Sequence, residues 1–265
     1  MTFKSHCQNW IDMKKKNRLN ICLLILVGLI AVFTTSCRKE DSTTDGNMVK
    51  DIDGNVYHTV TIGTQVWMAE NLKVTRYRNG DKIGTTSPAT LDISGEAKPQ
   101  YQWAYDGKES NVATYGRLYT WYAITDIRNV CPVGWHIPTL DEWTTLGNYL
   151  MANGYNYDGT KADNKYAKSM AASSGWGSET TPGAVGNSDY SAKRNATGFS
   201  AMPGGIHSSS GTFEGMTWGG VWWSTTSSAS WPVASIVEIN FHQCDVNMQH
   251  EGLKNYGFSV RCLRD

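Results

Sequence analysis

The sequence predicts an α+β domain of short antiparallel strands, two or three helices and long loops, with its termini close together. The 265-residue chain contains 11 Trp, 13 Tyr and 26 Gly, a composition typical of many short strands joined by turns. Strand-like alternation of apolar and polar residues occurs towards both ends of the chain, whereas helical spacing is confined to the middle. Strands at both ends with helices between them favour an α+β fold.

The first strands are predicted between residues 48 and 75. Asp53-Gly54 is a hairpin turn signal, because glycine adopts the positive φ that such turns require. From Val56 to Ile62 the side chains alternate, so that one face of the strand is mostly apolar. After a long loop over residues 76–112, strand patterns return from Gly198 onward. Later strands are expected near residues 199–202, 213–217, 220–225, 235–241 and 257–263.

Helices are predicted at three places in the middle of the chain. The strongest pattern begins at Thr139, an N-cap that forms a capping box with Glu142 three residues later. Apolar residues then recur at helical spacing until Asn153-Gly154 ends the helix. A helix over about residues 116–124 and a weaker one over 163–172 are also expected. Residues 173–197 are rich in Ser, Gly and Thr and predict a long loop.

Residues 1–36 have the features of an export signal. A basic cluster precedes an apolar run over 21–33, which is too short to span a bilayer, and small residues lead to Cys37. This order resembles a bacterial lipoprotein signal, in which Cys37 is diacylated and becomes the new N-terminus. An ordinary secretory signal with an incidental cysteine is the alternative, and Met13 is the better start in either case. Residues 37–47 predict a flexible tether, which leaves one domain over 48–265.

Charge excludes nucleic acid as a partner. The whole chain has a net charge of 0 and residues 1–36 carry five basic and one acidic residue, so the remainder is near −4. Nucleic-acid binding requires a basic patch. The predicted contact with a membrane is instead the lipid at Cys37, which anchors without a transmembrane helix. Charged residues after Cys37 resemble outer-face signals of Bacteroides-like bacteria, so an outer-membrane, cell-surface location is expected, with the periplasmic face as the alternative.

Several long motifs occur in a fixed order along the chain. They are Asp53-Gly54-Asn55-Val56-Tyr57, residues 61–72, Gly116-Arg117-Leu118-Tyr119-Thr120-Trp121, residues 131–139, residues 220–225 and Ser259-Val260-Arg261-Cys262. This set resembles the Fibrobacter succinogenes major paralogous domain family, which occurs on exported bacterial lipoproteins. The resemblance implies a C-type-lectin-like fold, also used by formylglycine-generating enzymes, and it implies no established activity.

Three cysteines remain besides Cys37 in the exported chain. Export permits disulfides, and three thiols allow one intramolecular bridge with one thiol left over. We favour Cys131–Cys262, with Cys131–Cys244 and no bridge as alternatives. The preferred bond closes a loop of more than a hundred residues, which the chain-entropy model values at about 4–5 kcal/mol.

A catalytic or metal site is not the favoured interpretation of the remaining thiol and histidines. Strand alternation would place His242 and Cys244 on one face, where an enzyme related to formylglycine generation or thiol oxidation is the alternative hypothesis. No second cysteine has suitable spacing, so a lone buried thiol is expected. His136 is expected to hydrogen-bond within the turn before the helix. The calcium-binding triplets of sugar-binding lectins are absent, and the oxygen-rich loops at 106–111 and 158–164 are expected to be solvated.

The remaining candidates for function are aromatic. Trp222 and Trp223 are consecutive in a predicted strand and so point to opposite faces, while Trp218 and Trp231 lie in loop-like sequence. Trp218, Trp223 and Trp231 are the candidate ligand-binding residues, because an exposed indole stacks on sugars or anchors proteins. The alternative is that all four tryptophans pack in the core or under loops. The predicted function is a non-catalytic, surface-anchored module that binds a glycan or a protein, without cofactor or metal, through loops near 173–195 and 208–231. A structural subunit of a surface assembly is a further alternative.

Overall fold

A computed structural model describes residues 47–265 of the chain. The predicted signal over 1–36, the lipidation site Cys37 and the tether up to residue 46 lie outside the described residues. The predicted α+β class is confirmed, since the described part consists of short strands in sheets with four short helices. None of the helices in residues 47–265 has the length and apolar character needed to cross a membrane.

Thirteen strands are distributed along the whole described part. In chain order they are β1 (Met48–Lys50), β2 (Val56–Ile62), β3 (Gln65–Met68), β4 (Gln102–Trp103), β5 (Leu118–Tyr119), β6 (Trp135–His136), β7 (Gly204–His207), β8 (Phe213–Met216), β9 (Gly219–Ser227), β10 (Val233–Asn240), β11 (Val246–Asn247), β12 (Glu251–Leu253) and β13 (Leu263–Arg264). The helices are α1 (Val112–Tyr115), α2 (Trp121–Ile124), α3 (Leu140–Ala152) and α4 (Ala167–Met170).

The first sheet joins the two ends of the domain. Its strand order is β1-β2-β3-β13-β6, and every pair is antiparallel. In this register Trp67 of β3 lies beside Val60 on one side and Leu263 on the other. Because the last strand lies against the third, the expectation that the termini of the domain lie close together is confirmed.

The second sheet is built around the β9–β10 hairpin. Its order is β11-β10-β9-β7-β8, and β12 also pairs with β10. The β7–β9 pair is parallel, and the other pairs are antiparallel. A separate two-stranded ladder joins β4 to β5. The predicted strands near 213–217, 220–225 and 235–241 correspond to β8, β9 and β10.

The helix predicted from the capping box is confirmed, and the other two predicted helices are shorter than expected. Helix α3 begins after Thr139, whose side chain accepts from the Glu142 amide while the Glu142 carboxylate accepts from the Thr139 amide. The helix expected over 116–124 is wrong in its first half, because Leu118 and Tyr119 pair with β4 and only α2 is helical. The third helix is reduced to α4, and the segment 173–197 is a loop with one 3₁₀ turn, as predicted.

Two apolar clusters lie on opposite sides of β9. Trp222 packs in one cluster with Trp67, Trp143 and Phe199, and Trp223 packs in the other. The sequence predicts that these neighbours point to opposite faces, and both faces prove to be covered. Each indole N–H is satisfied, as Trp222 donates to Asn71 Oδ1 at 2.8 Å and Trp223 donates to the Tyr119 carbonyl at 2.7 Å.

The predicted disulfide between Cys131 and Cys262 is present, with a Cα–Cα distance of 6.0 Å. It lies in the same cluster as Trp223. The guanidinium of Arg78 secures the turn beside it by donating to the carbonyls of Cys131, Pro132 and Trp135. The bond thus ties the middle of the chain to its last strand, as expected of a bridge that closes a long loop.

His136 lies in the turn before α3, where the sequence places it. Its Nε2 is 2.9 Å from Glu142 Oε1, and its Nδ1 is 2.6 Å from Asp265 Oδ1. Partial burial disfavours the imidazolium, but the hydrogen bonds to Asp265 and Glu142 outweigh it and raise the pKa of His136 above its ordinary value. The prediction that His136 hydrogen-bonds within this turn is confirmed.

Arg261 forms a buried polar centre between the two sheets. Its guanidinium stacks on Phe199 at 4.2 Å and donates to Asn71 Oδ1 at 2.8 Å and to the carbonyls of Met68, Phe199 and Ser200. Burial without a contacting carboxylate lowers the pKa of Arg261 to about 9. We call Asn71, Trp222 and Arg261 the Arg261 network, because the Asn71 carbonyl oxygen accepts from both other side chains.

Candidate ligand-binding groove

The three candidate tryptophans have different environments. Trp231 is 70% exposed and Trp218 is 64% exposed, whereas Trp223 is fully buried. The prediction that Trp223 contacts a ligand is therefore wrong. Its ring packs against Phe258 at 4.5 Å in the core cluster, because the face of β9 that it occupies is covered by the C-terminal segment.

Trp218 and Trp231 lie at opposite ends of the same hairpin. Trp218 precedes β9 and its carbonyl accepts from Phe241, just after β10 ends. Trp231 lies in the loop between β9 and β10. Nine strand residues at roughly 3.3 Å each separate the two ends by about 30 Å. The expected aromatic platform of Trp218, Trp223 and Trp231 is therefore not formed, and the two exposed indoles belong to separate surfaces.

A groove with a volume of about 520 Å³ lies beside Trp231. We call it the Trp231 groove; it is lined by Lys98, Gln100, Trp121, Tyr122, Thr125, Asp126, Ser228, Ala229, Ser230, Trp231, Pro232 and Lys254. A second cavity of about 350 Å³ shares the lining residues Tyr122, Pro232 and Lys254 with it and is therefore adjacent to it. The volumes are in the range of about 300–1,000 Å³ found for small-molecule sites.

Four segments of the chain meet at the groove. Lys98 and Gln100 precede β4, while Trp121 and Tyr122 begin α2. The loop over 228–232 joins β9 to β10, and Lys254 follows β12. Backbone hydrogen bonds connect these segments, because Trp121 N–H donates to the Lys254 carbonyl and Lys254 N–H donates to the Pro232 carbonyl. The lining is thus fixed by main-chain contacts.

The loop that carries Trp231 is ordered by a serine. The Ser228 hydroxyl oxygen accepts from the backbone N–H groups of Ser230 at 3.3 Å and Trp231 at 3.2 Å. Such serine turns fix a tight backbone without using a side chain from elsewhere. As a result, the backbone at Trp231 is fixed beside the groove, while most of the indole surface remains in solvent.

Trp121 and Lys254 form a stacked pair in the lining. The Lys254 ammonium lies 4.3 Å from the centroid of the Trp121 ring. The Trp121 indole N–H donates to the Ser224 carbonyl at 3.1 Å, which fixes the plane of the ring. Tyr122 lies edge-on to Trp121 at 5.9 Å. The groove therefore presents two aromatic residues of α2 together with an amine.

Asp126 is the carboxylate of the groove lining, and its oxygens are already engaged. Arg128 donates Nε to Oδ1 at 2.8 Å and Nη2 to Oδ2 at 3.0 Å, and Gln100 donates to Oδ2 at 2.8 Å. These hydrogen bonds, of which the one from the Arg128 side chain has the largest effect, hold the pKa of Asp126 well below its usual range. Arg128 also stacks on Tyr77 at 3.9 Å. Asp126 thus acts as a fixed support for Gln100.

Cys244 does not lie in a strand beside His242, because residues 241–244 form the turn after β10. The expected shared strand face is therefore wrong. Cys244 is the free thiol of the described part, as expected, but it is half-buried, whereas a buried thiol was predicted. Burial raises the pKa of this thiol. His250 contacts Glu238 and Asn247. The contacts of His250 are therefore with Glu238 and Asn247 and do not activate the Cys244 thiol. That the protein is not an enzyme stays a prediction.

The oxygen-rich loops at 106–111 and 158–164 were expected to bind no metal. In the structure, carboxylates of both loops have cationic partners. Glu109 pairs with Arg117, and Asp158 pairs with Lys165 at 3.0 Å. Within residues 47–265, no three His, Cys, Asp or Glu side chains are grouped so that they could hold an ion.

Comparison with known proteins gives one family. The family model of the Fibrobacter succinogenes major domain matches residues 60–264, which is 205 of the 265 residues. The chain belongs to this family. The resemblance recognised from the motifs is thereby confirmed. No curated protein and no solved structure matched the chain.

In this Fibrobacter succinogenes major domain, the motifs mostly build the fold. Of the motif residues, Trp121 lines the Trp231 groove, whereas Asn71, Trp222 and Arg261 are buried together. Sequence reasoning missed Lys98, Gln100, Tyr122, Asp126 and Lys254 as groove residues. No local pattern connects Lys98 to Lys254, because more than 150 residues separate them. The adjacent aromatics at the start of α2 were the available signal.

Proposed function

We propose that residues 48–265 form a non-catalytic binding module that holds a carbohydrate in the Trp231 groove. The observation that carries the proposal is the 70% exposed indole of Trp231, held by an ordered loop beside a groove with polar and aromatic lining. An indole face stacks on the apolar face of a sugar ring, while amide, hydroxyl and amine groups bind the ring's hydroxyls. The groove supplies the indole of Trp231, the hydroxyl groups of Ser230 and Tyr122 and the amines of Lys98 and Lys254.

A carbohydrate fits the groove better than a protein partner does. Protein interfaces bury about 800 Å² on each side around an apolar centre. Beside Trp231 the surface instead carries Ser228, Ser230 and Lys98. The adjacent second cavity shares three lining residues with the groove, and this suits a ligand of more than one sugar ring.

The module is proposed to have a C-type-lectin-like fold and to be carried on the outer membrane by a lipid at Cys37, facing the cell surface. Support for the fold comes from the first sheet, in which β13 closes against β3 and brings the domain termini together. Support for the location comes from the order of basic, apolar and small residues before Cys37. The enzyme and structural-subunit alternatives have no specific contact in residues 47–265 that favours them.

A glycan array followed by titration calorimetry tests the proposal. We expect Trp231→Ala to lower affinity for the bound glycan by about tenfold or more, because loss of a central aromatic contact costs more than about 1–2 kcal/mol. Trp218→Ala is the matched control, since Trp218 is exposed to a similar extent at the other end of the hairpin, and its affinity should stay within about twofold. Equal loss in both variants, or none in Trp231→Ala, would contradict the proposed site.

A further inference from the structure

We propose that the Trp231 groove selects acidic saccharides, and that Lys98 and Lys254 bind their carboxylate or sulfate groups. This inference rests on the proposed carbohydrate function and adds the substrate class. It depends on three observations: the position of Lys254, the lack of counter-ions at both lysines, and the neutralised state of the carboxylate between them in the lining.

Lys254 is positioned with its donors available. Its backbone is fixed by Pro232 and Trp121, and its ammonium lies over the Trp121 ring at 4.3 Å. A cation–π contact orients the amine without consuming its three N–H donors. No Asp or Glu oxygen in the described part of the chain lies within 4.0 Å of this amine. A ligand anion in the groove would therefore find an oriented donor.

Lys98 also lacks a counter-ion in residues 47–265, and its side chain is exposed at the groove. Lys108, Lys165 and Lys168 pair with carboxylates of the domain. The lining of the Trp231 groove instead contains two amines, those of Lys98 and Lys254, without a carboxylate partner among the described residues.

Negative groups near the groove leave a positive balance. Asp126 is neutralised by Arg128, which binds both of its oxygens. Glu96 lines the second cavity near Lys254 and accepts a hydrogen bond from Tyr101 at 3.1 Å. The charged residues that line the Trp231 groove are Lys98 and Lys254 against Asp126, which gives +1. Residues 47–265 have 17 basic and 20 acidic residues, a net charge of −3, so the groove is positive on an acidic domain.

The test uses acidic glycans and their neutral counterparts. The panel contains chondroitin sulfate and its chemically desulfated, carboxyl-reduced form, oligogalacturonate and its methyl ester, and sialylated and asialo glycans. We expect an acidic member to bind, its neutral counterpart to bind at least about fivefold more weakly, and the affinity to fall between 50 and 500 mM salt, because exposed charge contacts are screened.

Lysine variants of the whole exported chain locate the charge contact. Lys98→Gln and Lys254→Gln should each lower affinity for the acidic member about threefold to fivefold, and affinity for the neutral counterpart should change less than twofold. Lys161→Gln, an exposed lysine outside the groove lining, is the control and should bind as the unaltered chain does.

The outcomes separate this inference from the proposed function. If neutral members bind as tightly as acidic ones and Trp231→Ala abolishes both, the acidic selectivity is wrong and the carbohydrate function stands. If no saccharide of the panel or the array binds, the proposed function fails, and the inference fails with it. If acidic members bind but the Lys98 and Lys161 variants are equally affected, general charge attraction replaces the groove contact.

Discussion

The Arg261 network and the Trp231 groove contain similar residues in opposite states. Each combines tryptophan with a basic side chain and an amide: Trp222, Arg261 and Asn71 in the network, and Trp121, Lys254 and Gln100 in the groove. In the network the indole, guanidinium and amide bind one another and nearby carbonyls inside the protein. In the groove the Trp231 indole is mostly in solvent, and the amine of the half-buried Lys254 lies over the Trp121 ring without a carboxylate partner in the described residues.

The difference shows how to separate structural from binding residues in this family. The network residues all belong to the long motifs, and their hydrogen-bonding capacity is used within the fold. The groove residues, apart from Trp121, lie outside the motifs. Among them the Gln100 amide is bonded to Asp126 and Arg128, whereas the amines of Lys98 and Lys254 have no carboxylate partner in residues 47–265. The motifs therefore report how the domain is built, and the ligand contacts must be sought in the segments between them.

The largest expected contrast is in stability. Trp223→Ala should lower the free energy of unfolding by about 3–5 kcal/mol, because it removes a fully buried indole and leaves a cavity. Trp231→Ala should change it by less than about 0.5 kcal/mol, because the ring is mostly in solvent. Urea unfolding of both variants, followed by circular dichroism, measures the difference. Similar losses would mean that Trp231 is part of the core.

A smaller effect is expected at the turn before α3. The pKa of His136 is raised in the folded state, so its charged pairs with Glu142 and Asp265 stabilise the fold below the unfolded pKa of about 6.5. This contribution is lost as pH rises through the folded pKa. Between pH 6 and 8.5 the free energy of unfolding should fall by less than about 1 kcal/mol, since the ring is partly exposed.

Histidine variants show which residue causes this pH dependence of the free energy of unfolding. His136→Gln should flatten the pH dependence of unfolding over this range. His242→Gln removes an exposed histidine that has no ion pair within the described residues, so its slope should match that of the unaltered chain. An unchanged slope in His136→Gln would show that another group is responsible.

The sequence predicts the frame of this domain well because its strongest signals are local. The Thr139–Glu142 capping box, the hairpin turn at Asp53-Gly54 and the strand alternation near β10 all act within a few residues. The disulfide was recognisable because export and three thiols leave few pairings. Local spacing also gave a wrong helix prediction at residues 116–120, where pairing of β5 with β4 overrides the helical pattern.

The groove was only partly predictable. Exposed loop tryptophans were a correct expectation for Trp218 and Trp231, but their separation depends on the length of β9 and on which strands it joins. Burial of Trp223 depends on the C-terminal segment that covers β9, and the meeting of Lys98 with Lys254 depends on the fold of the whole domain. None of these is a local property of the sequence.

The ligand is proposed to bind at the Trp231 end of the hairpin and not at the Trp218 end. Hydroxyl-radical footprinting of the unaltered chain, read by mass spectrometry with and without the acidic glycan that binds best, distinguishes the two ends because the two exposed indoles serve as each other's control. We expect the glycan to lower oxidation of Trp231 severalfold and to leave oxidation of Trp218 unchanged. Protection of Trp218 with Trp231 unprotected would place the site at the other end of the hairpin and overturn the proposal.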